Sequence, residues 1–171
     1  HRRRDGAQYC RPRRLGGRAG SIIGDGLQRA ELENLCRTQQ LSNVEFLGAR
    51  YGEDLKGVIS EALFVVLPSQ CYENCPYAVL EAFAMGKPVI GSNLGGVPEL
   101  VTHGRDGLLF ESGNVADLED KLRRLARDEE TRKRMGRHAR QKVERKFDLA
   151  VSAEVIEHLY RPTALVNFAN A

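Results

Sequence analysis

The sequence predicts an α/β domain built on a doubly wound parallel sheet. Two observations carry this: short apolar runs alternate with stretches of helical apolar spacing, and the run Leu63-Phe64-Val65-Val66-Leu67 is continuously apolar. A strand read that way is covered by helices on both faces. At 171 residues with 42% apolar side chains, the chain can bury one sizeable core, and a second full domain does not fit.

The first eighteen residues stand apart. They hold seven arginines against one acid, Asp5, so this segment carries +6 and the remainder of the chain falls from the overall +3 to −3. The slightly acidic body argues against nucleic acid as a main partner. The head has neither helical nor alternating apolar spacing, so no core element is expected in it. It reads as a basic disordered terminus or as residues foreign to the domain, rather than as an RNA-binding arm, which would carry more stacking aromatics than Tyr9 alone. The expected layout is head 1–18, domain 19–161 and tail 162–171.

From Ser21 an apolar run leads into Gly24-Asp25-Gly26 and then a helix from Leu27 to Gln39, with Leu27, Ala30, Leu32 and Leu35 as its apolar stripe. Val44-Glu45-Phe46-Leu47 is the next strand, and Leu55, Val58, Ile59 and Ala62 recur at helical spacing. Pro68-Ser69 stops the central strand, and a helix follows with Asn74 or Cys75 as cap and Pro76 at its first position. Pro88-Val89-Ile90 is a further strand, the Gly95-Gly96 turn opens a short helix over 98–101, and Gly107 to Phe110 is the last strand. Asn114 caps a charged helix through Arg127, and two or three helices with solvated charge runs fill the remainder to Tyr160.

In such folds ligands bind beyond the carboxyl ends of the strands, which directs attention to the loops after Ile23, Leu67 and Ile90. The helix after Pro76 offers backbone N–H groups and a partial positive charge, able to hold a phosphate without a basic side chain. Tyr77 through Met85 are apolar on every face except for Glu81, so the helix should be buried, and a buried carboxylate needs either a partner such as Lys87 or Arg105 or a ligand hydroxyl. Glu73 lies in the loop just before it. Gly95 and Gly96 permit close backbone approach to a ligand, although turn formation explains them equally well.

Several chemistries are disfavoured. Gly24-Asp25-Gly26 lacks both the dinucleotide fingerprint and the P-loop pattern. Cys71 and Cys75 have no second ligand pair for zinc, and His1, His103, His138 and His158 show no metal spacing or nucleophilic arrangement. The four cysteines fit a reducing compartment, and no apolar run is long enough to span a bilayer.

Taken together, Glu73 to Glu81, then Ala82-Phe83-Ala84-Met85-Gly86-Lys87-Pro88-Val89-Ile90 and Gly95-Gly96-Val97-Pro98-Glu99, closely resemble the second domain of glycosyltransferase family 4. The resemblance covers about 21–160, and Gly24-Asp25-Gly26, Val44 to Gly48 and Gly107 to Phe110 match further landmarks in order. It implies the C-terminal half of a two-domain GT-B enzyme that retains anomeric configuration, transfers a hexose from a nucleotide diphosphate sugar to a saccharide or lipid acceptor, and needs no metal. By this resemblance Glu81 binds the ribose hydroxyls and Glu73 faces the donor sugar in the catalytic position. The amides of Asn74, Cys75, Pro76 and Tyr77 line the sugar and diphosphate side, less the proline's missing hydrogen, and the nucleobase sits near the loop after Leu47. The opening strand and its diphosphate-neutralising Arg and Lys have no match here, and no acceptor domain is expected within these 171 residues. The expectation is therefore a cytoplasmic or membrane-peripheral partner of an N-terminal acceptor domain, inactive alone. The alternative is a stand-alone nucleotide-sugar-binding or interaction module without catalysis.

Overall fold

The structure, a computed structural model, describes residues 8–11 and 19–148. The expectations for the rest of the head, for the helices after 148 and for the tail lie outside the described residues. Among the described residues, six strands form one sheet: β1 (Gln8–Arg11), β2 (Ala19–Ile23), β3 (Val44–Gly48), β4 (Val65–Leu67), β5 (Val89–Ser92) and β6 (Gly107–Phe110). Six helices among the same residues accompany them: α1 (Arg29–Thr38), α2 (Gly52–Glu61), α3 (Tyr77–Ala84), α4 (Val97–Leu100), α5 (Val115–Arg127) and α6 (Glu129–Lys146).

The strand order is β3-β2-β1-β4-β5-β6. Three of the pairings, β2 with β3, β4 with β5 and β5 with β6, are parallel, as the alternation predicts. The exception is β1, which lies between β2 and β4 and runs antiparallel to both. This corrects the expectation that no core element lies in the head, and adds one antiparallel strand to the otherwise parallel, doubly wound sheet. The cause is backbone pairing: two central strands with a gap between them leave N–H and C=O groups to satisfy, whatever side chains fill the gap.

Apolar side chains sort onto the two faces of the sheet by the twofold alternation of the strands. Val65, Leu67 and Val89 pack with Ile59, Val79 and Phe83 on one side, while Val66, Ile90, Leu108 and Phe110 pack with Leu125 and Met135 on the other. Helix α6 reaches both. Its Gly136 allows contact with the backbone at Gly86, since a Cβ there would collide with the Gly86 carbonyl. Its Lys142 donates to the Leu100 carbonyl at 2.7 Å and to Asp106 Oδ2 at 2.7 Å, a carboxylate only 1% exposed. Asp106 Oδ1 accepts from the Thr102 amide at 2.7 Å, so the buried charge is paired and hydrogen-bonded.

Helix α5 starts as read, with Asn114 Oδ1 accepting from the Asp117 amide at 3.0 Å. Helix α1 forms where its spacing places it, yet none of its residues is buried, and Leu35 is 49% exposed. Its stripe fixes the helix type and buries no core. No helix among the described residues is long and apolar enough to cross a membrane.

Candidate functional site

Strand β4 ends at Leu67, and Pro68 ends the ladder because it has no N–H to donate. Ser69 follows, 6% exposed. Its Oγ accepts from the Cys71 amide at 3.4 Å and donates to Glu73 Oε1 at 2.9 Å. The loop thus curls back on itself, and a buried hydroxyl fixes one carboxylate oxygen of half-buried Glu73.

Helix α3 begins one residue later than expected. Pro76 occupies the cap position with extended backbone (φ −73, ψ 100), Tyr77 is the first helical residue, and no side chain caps the end. Asn74 and Cys75 are exposed and do not cap. The difference lies in Pro76 itself: its φ suits a helix but its ψ of 100 is extended, so the first helical residue is Tyr77. The start remains open to a ligand at the end of a central strand, as the phosphate argument requires.

Glu81 is exposed, which overturns the burial argument made for it. Val79, Ala82 and Phe83 take the buried face of α3, while Tyr77, 59% exposed, and Glu81 stand one turn apart on the open face. Apolar residues all round a helix describe its composition and not its neighbours. Glu81 therefore faces outward one turn from the helix start without the desolvation cost that burial would impose. Lys87 is the group that burial affects here, its ammonium pushed below the usual lysine range.

The two glycines meet the glutamate loop directly. The Gly96 amide donates to the Glu73 carbonyl at 2.7 Å. Gly95 has left-handed backbone (φ +57), and a Cβ on it would sit 2.9 Å from both Glu73 backbone N and O. A Cβ on Gly96 would collide with the Asn74 carbonyl. Both are thus required for the close approach of the loops after β4 and β5. Glu73, Asn74, Gly95 and Gly96 form one cluster, with the start of α3 beside it.

On the other side of β1, the loops after β2 and β3 are joined. Asp25 Oδ2 accepts from the Ala49 amide at 2.8 Å, its other oxygen pairs with Arg29, and the Gly24 amide donates to the Gly48 carbonyl at 3.0 Å. The Ala49 amide, then Arg29, hold the Asp25 carboxyl below the usual range. Sequence reasoning passed over both Ser69 and Asp25. Nothing in the spacing marks Ser69, whereas Asp25 between two glycines after a strand was visible as a turn.

The arrangement offers carboxylate acceptors for hydroxyl groups and an uncapped helix start for an anion. Among the described residues no three His, Cys, Asp or Glu side chains are grouped to hold a metal ion.

Comparison with known proteins agrees with this layout. The family profile for glycosyl transferases group 1 matches residues 20–142. An uncharacterised glycosyltransferase of Methanocaldococcus jannaschii is 34% identical over 120 residues, 70% of this chain and 34% of the relative. The sulfoquinovosyl transferase of Arabidopsis thaliana is 35% identical over 131 residues, 75% of this chain and 25% of the relative. Among solved structures, Anabaena HepE in complex with UDP-glucose superimposes with a TM-score of 0.73 at 26% identity, covering 81% of this chain and 40% of that one. The chain thus spans about a third or less of the curated relatives' length.

Proposed function

The chain belongs to the group 1 glycosyl transferases and has the fold of the C-terminal half of a GT-B enzyme, and on that premise we propose that it binds the donor of a retaining hexosyltransferase. The donor is a nucleotide diphosphate sugar, and the acceptor a saccharide or lipid. The observation that carries this is the contact between the Glu73 loop and the Gly95-Gly96 turn beside the uncapped start of α3. It provides a carboxylate and an anion-binding helix end at one edge of the sheet. HepE, a structural neighbour, has been crystallised with UDP-glucose.

In this reading the diphosphate lies at the start of α3, against the amides after Glu73. Glu81, exposed on α3 one turn from its start, accepts hydrogen bonds from the ribose hydroxyls. Glu73, oriented by Ser69, faces the sugar. The bond from the anomeric carbon to the diphosphate oxygen breaks, and the acceptor oxygen bonds on the same face while its proton passes to the departing diphosphate. Glu73 positions and stabilises the sugar as positive charge develops. No metal takes part, and the nucleobase lies towards the loop after β3. An N-terminal domain supplies the acceptor side, so the chain alone binds donor without transferring it. A cytoplasmic, membrane-peripheral setting suits a lipid acceptor.

Calorimetric titration with UDP-glucose, GDP-mannose and ADP-glucose tests the reading. Glu81→Ala should weaken the best-bound donor by about tenfold, the effect of losing a charged hydrogen bond. Undiminished binding by that variant removes Glu81 from the site.

A further inference from the structure

The strand order gives the proposed donor a direction. Glu73 and the Gly95-Gly96 turn lie towards β5, and α3 starts above β4, so a sugar at Glu73 with its diphosphate at α3 leaves the nucleoside to extend the other way, over β1 towards β2 and β3. Strands stand about 4.8 Å apart, which puts the end of β3 about 14 Å from that of β4. The loop that meets the nucleoside there is Gly48-Ala49-Arg50-Tyr51, ending in Tyr51, which is 79% exposed at the cap position of α2.

This loop is shaped around one side chain. Asp25, from the loop after β2, takes the Ala49 amide at 2.8 Å on one oxygen and Arg29 on the other, and Arg29 in turn donates to Glu33 at 2.8 Å. Gly48 holds left-handed backbone (φ +69) directly beside the pair, where a Cβ would come within 3.1 Å of Arg29 Nη1 and 3.4 Å of Asp25 Oδ2. The turn back into α2 is therefore set by a carboxylate from a neighbouring loop.

We propose that Asp25 is a positioning residue for the nucleoside part of the donor, holding the Gly48 to Tyr51 loop in the shape that receives the base. This rests on the donor-site reading above. Asp25 itself touches no donor atom; it acts through the loop.

The full chain is titrated with UDP, ADP, GDP and inorganic pyrophosphate, as wild type, Asp25→Ala and Asp25→Asn, with thermal unfolding of each followed in parallel. Asp25→Ala should lose about tenfold or more for the preferred nucleoside diphosphate, flatten the preference between bases and leave pyrophosphate unchanged. Asp25→Asn, which keeps an oxygen for the Ala49 amide, should recover most of the loss. A uniform fall for all four ligands with the base preference intact would make Asp25 a general support of the fold and overturn the inference. So would unaltered binding by Asp25→Ala. If the wild type binds none of the nucleoside diphosphates, the donor-site reading itself fails and takes this inference with it.

Discussion

At the scale of single residues, side chains without a mark in the sequence orient those that have one. Ser69 donates to Glu73, and its removal leaves that carboxylate oxygen without its donor. Ser69→Ala should therefore weaken binding of a nucleotide sugar several-fold while leaving the bare nucleoside diphosphate unaffected, a difference that paired titrations resolve. Gly96→Ala should be more disruptive, since its Cβ would collide with the Asn74 carbonyl; we expect about 1–3 kcal/mol of destabilisation in denaturant unfolding. Asp25 makes a pH prediction. Its folded-state pKa is lowered, by the Ala49 amide and then by Arg29, so its stabilisation is fully present above the unfolded value of about 4 and is lost as pH falls through the lower folded one. The stability gap between wild type and Asp25→Ala should stay constant from about pH 5 to 8 and close only in acid below about pH 4.

At the scale of elements, what the sequence showed and what it hid divide along a physical line. Strands β4 and β6 were legible because a buried strand must be apolar on both faces, and helix α5 because Asn114 is a cap whose side chain does the capping. The surroundings of an element were less legible. Helix α3 has the composition of a buried helix but exposes Tyr77 and Glu81, and α1 has an amphipathic stripe that reaches no core. Periodicity reports which residues share a face, and it is silent on what that face meets. Leu35→Lys should accordingly change stability by less than about 0.5 kcal/mol, and its readout in chemical unfolding separates an idle stripe from a packed one. The opposite is expected where α6 meets the turn after α4. Asp106→Ala takes away the Lys142 ammonium's counter-charge, leaving it only neutral acceptors, and removes the acceptor of the Thr102 amide; it should cost about 3 kcal/mol, as breaking buried ion pairs does.

At the scale of the whole molecule, the alternation of strands and helices predicted the layers and the parallel pairs. It did not predict β1, because Gln8–Arg11 carries no apolar pattern and its place is set by backbone pairing with β2 and β4. The site followed the same division. Glu73, Glu81, Gly95 and Gly96 were each legible as residues, but that Glu73 and the glycines touch is a fact of the sheet order, which brings the loops after β4 and β5 side by side. The central claim is that this edge holds the donor. The most direct test is backbone amide NMR of the full chain titrated with its best-bound nucleotide sugar. Shifts should concentrate at Glu73 to Tyr77 and at Gly95 and Gly96, with a second group at Ala49 to Tyr51 and none along α5. Saturable shifts confined to α5 and α6, with the Glu73 loop unmoved, would contradict it.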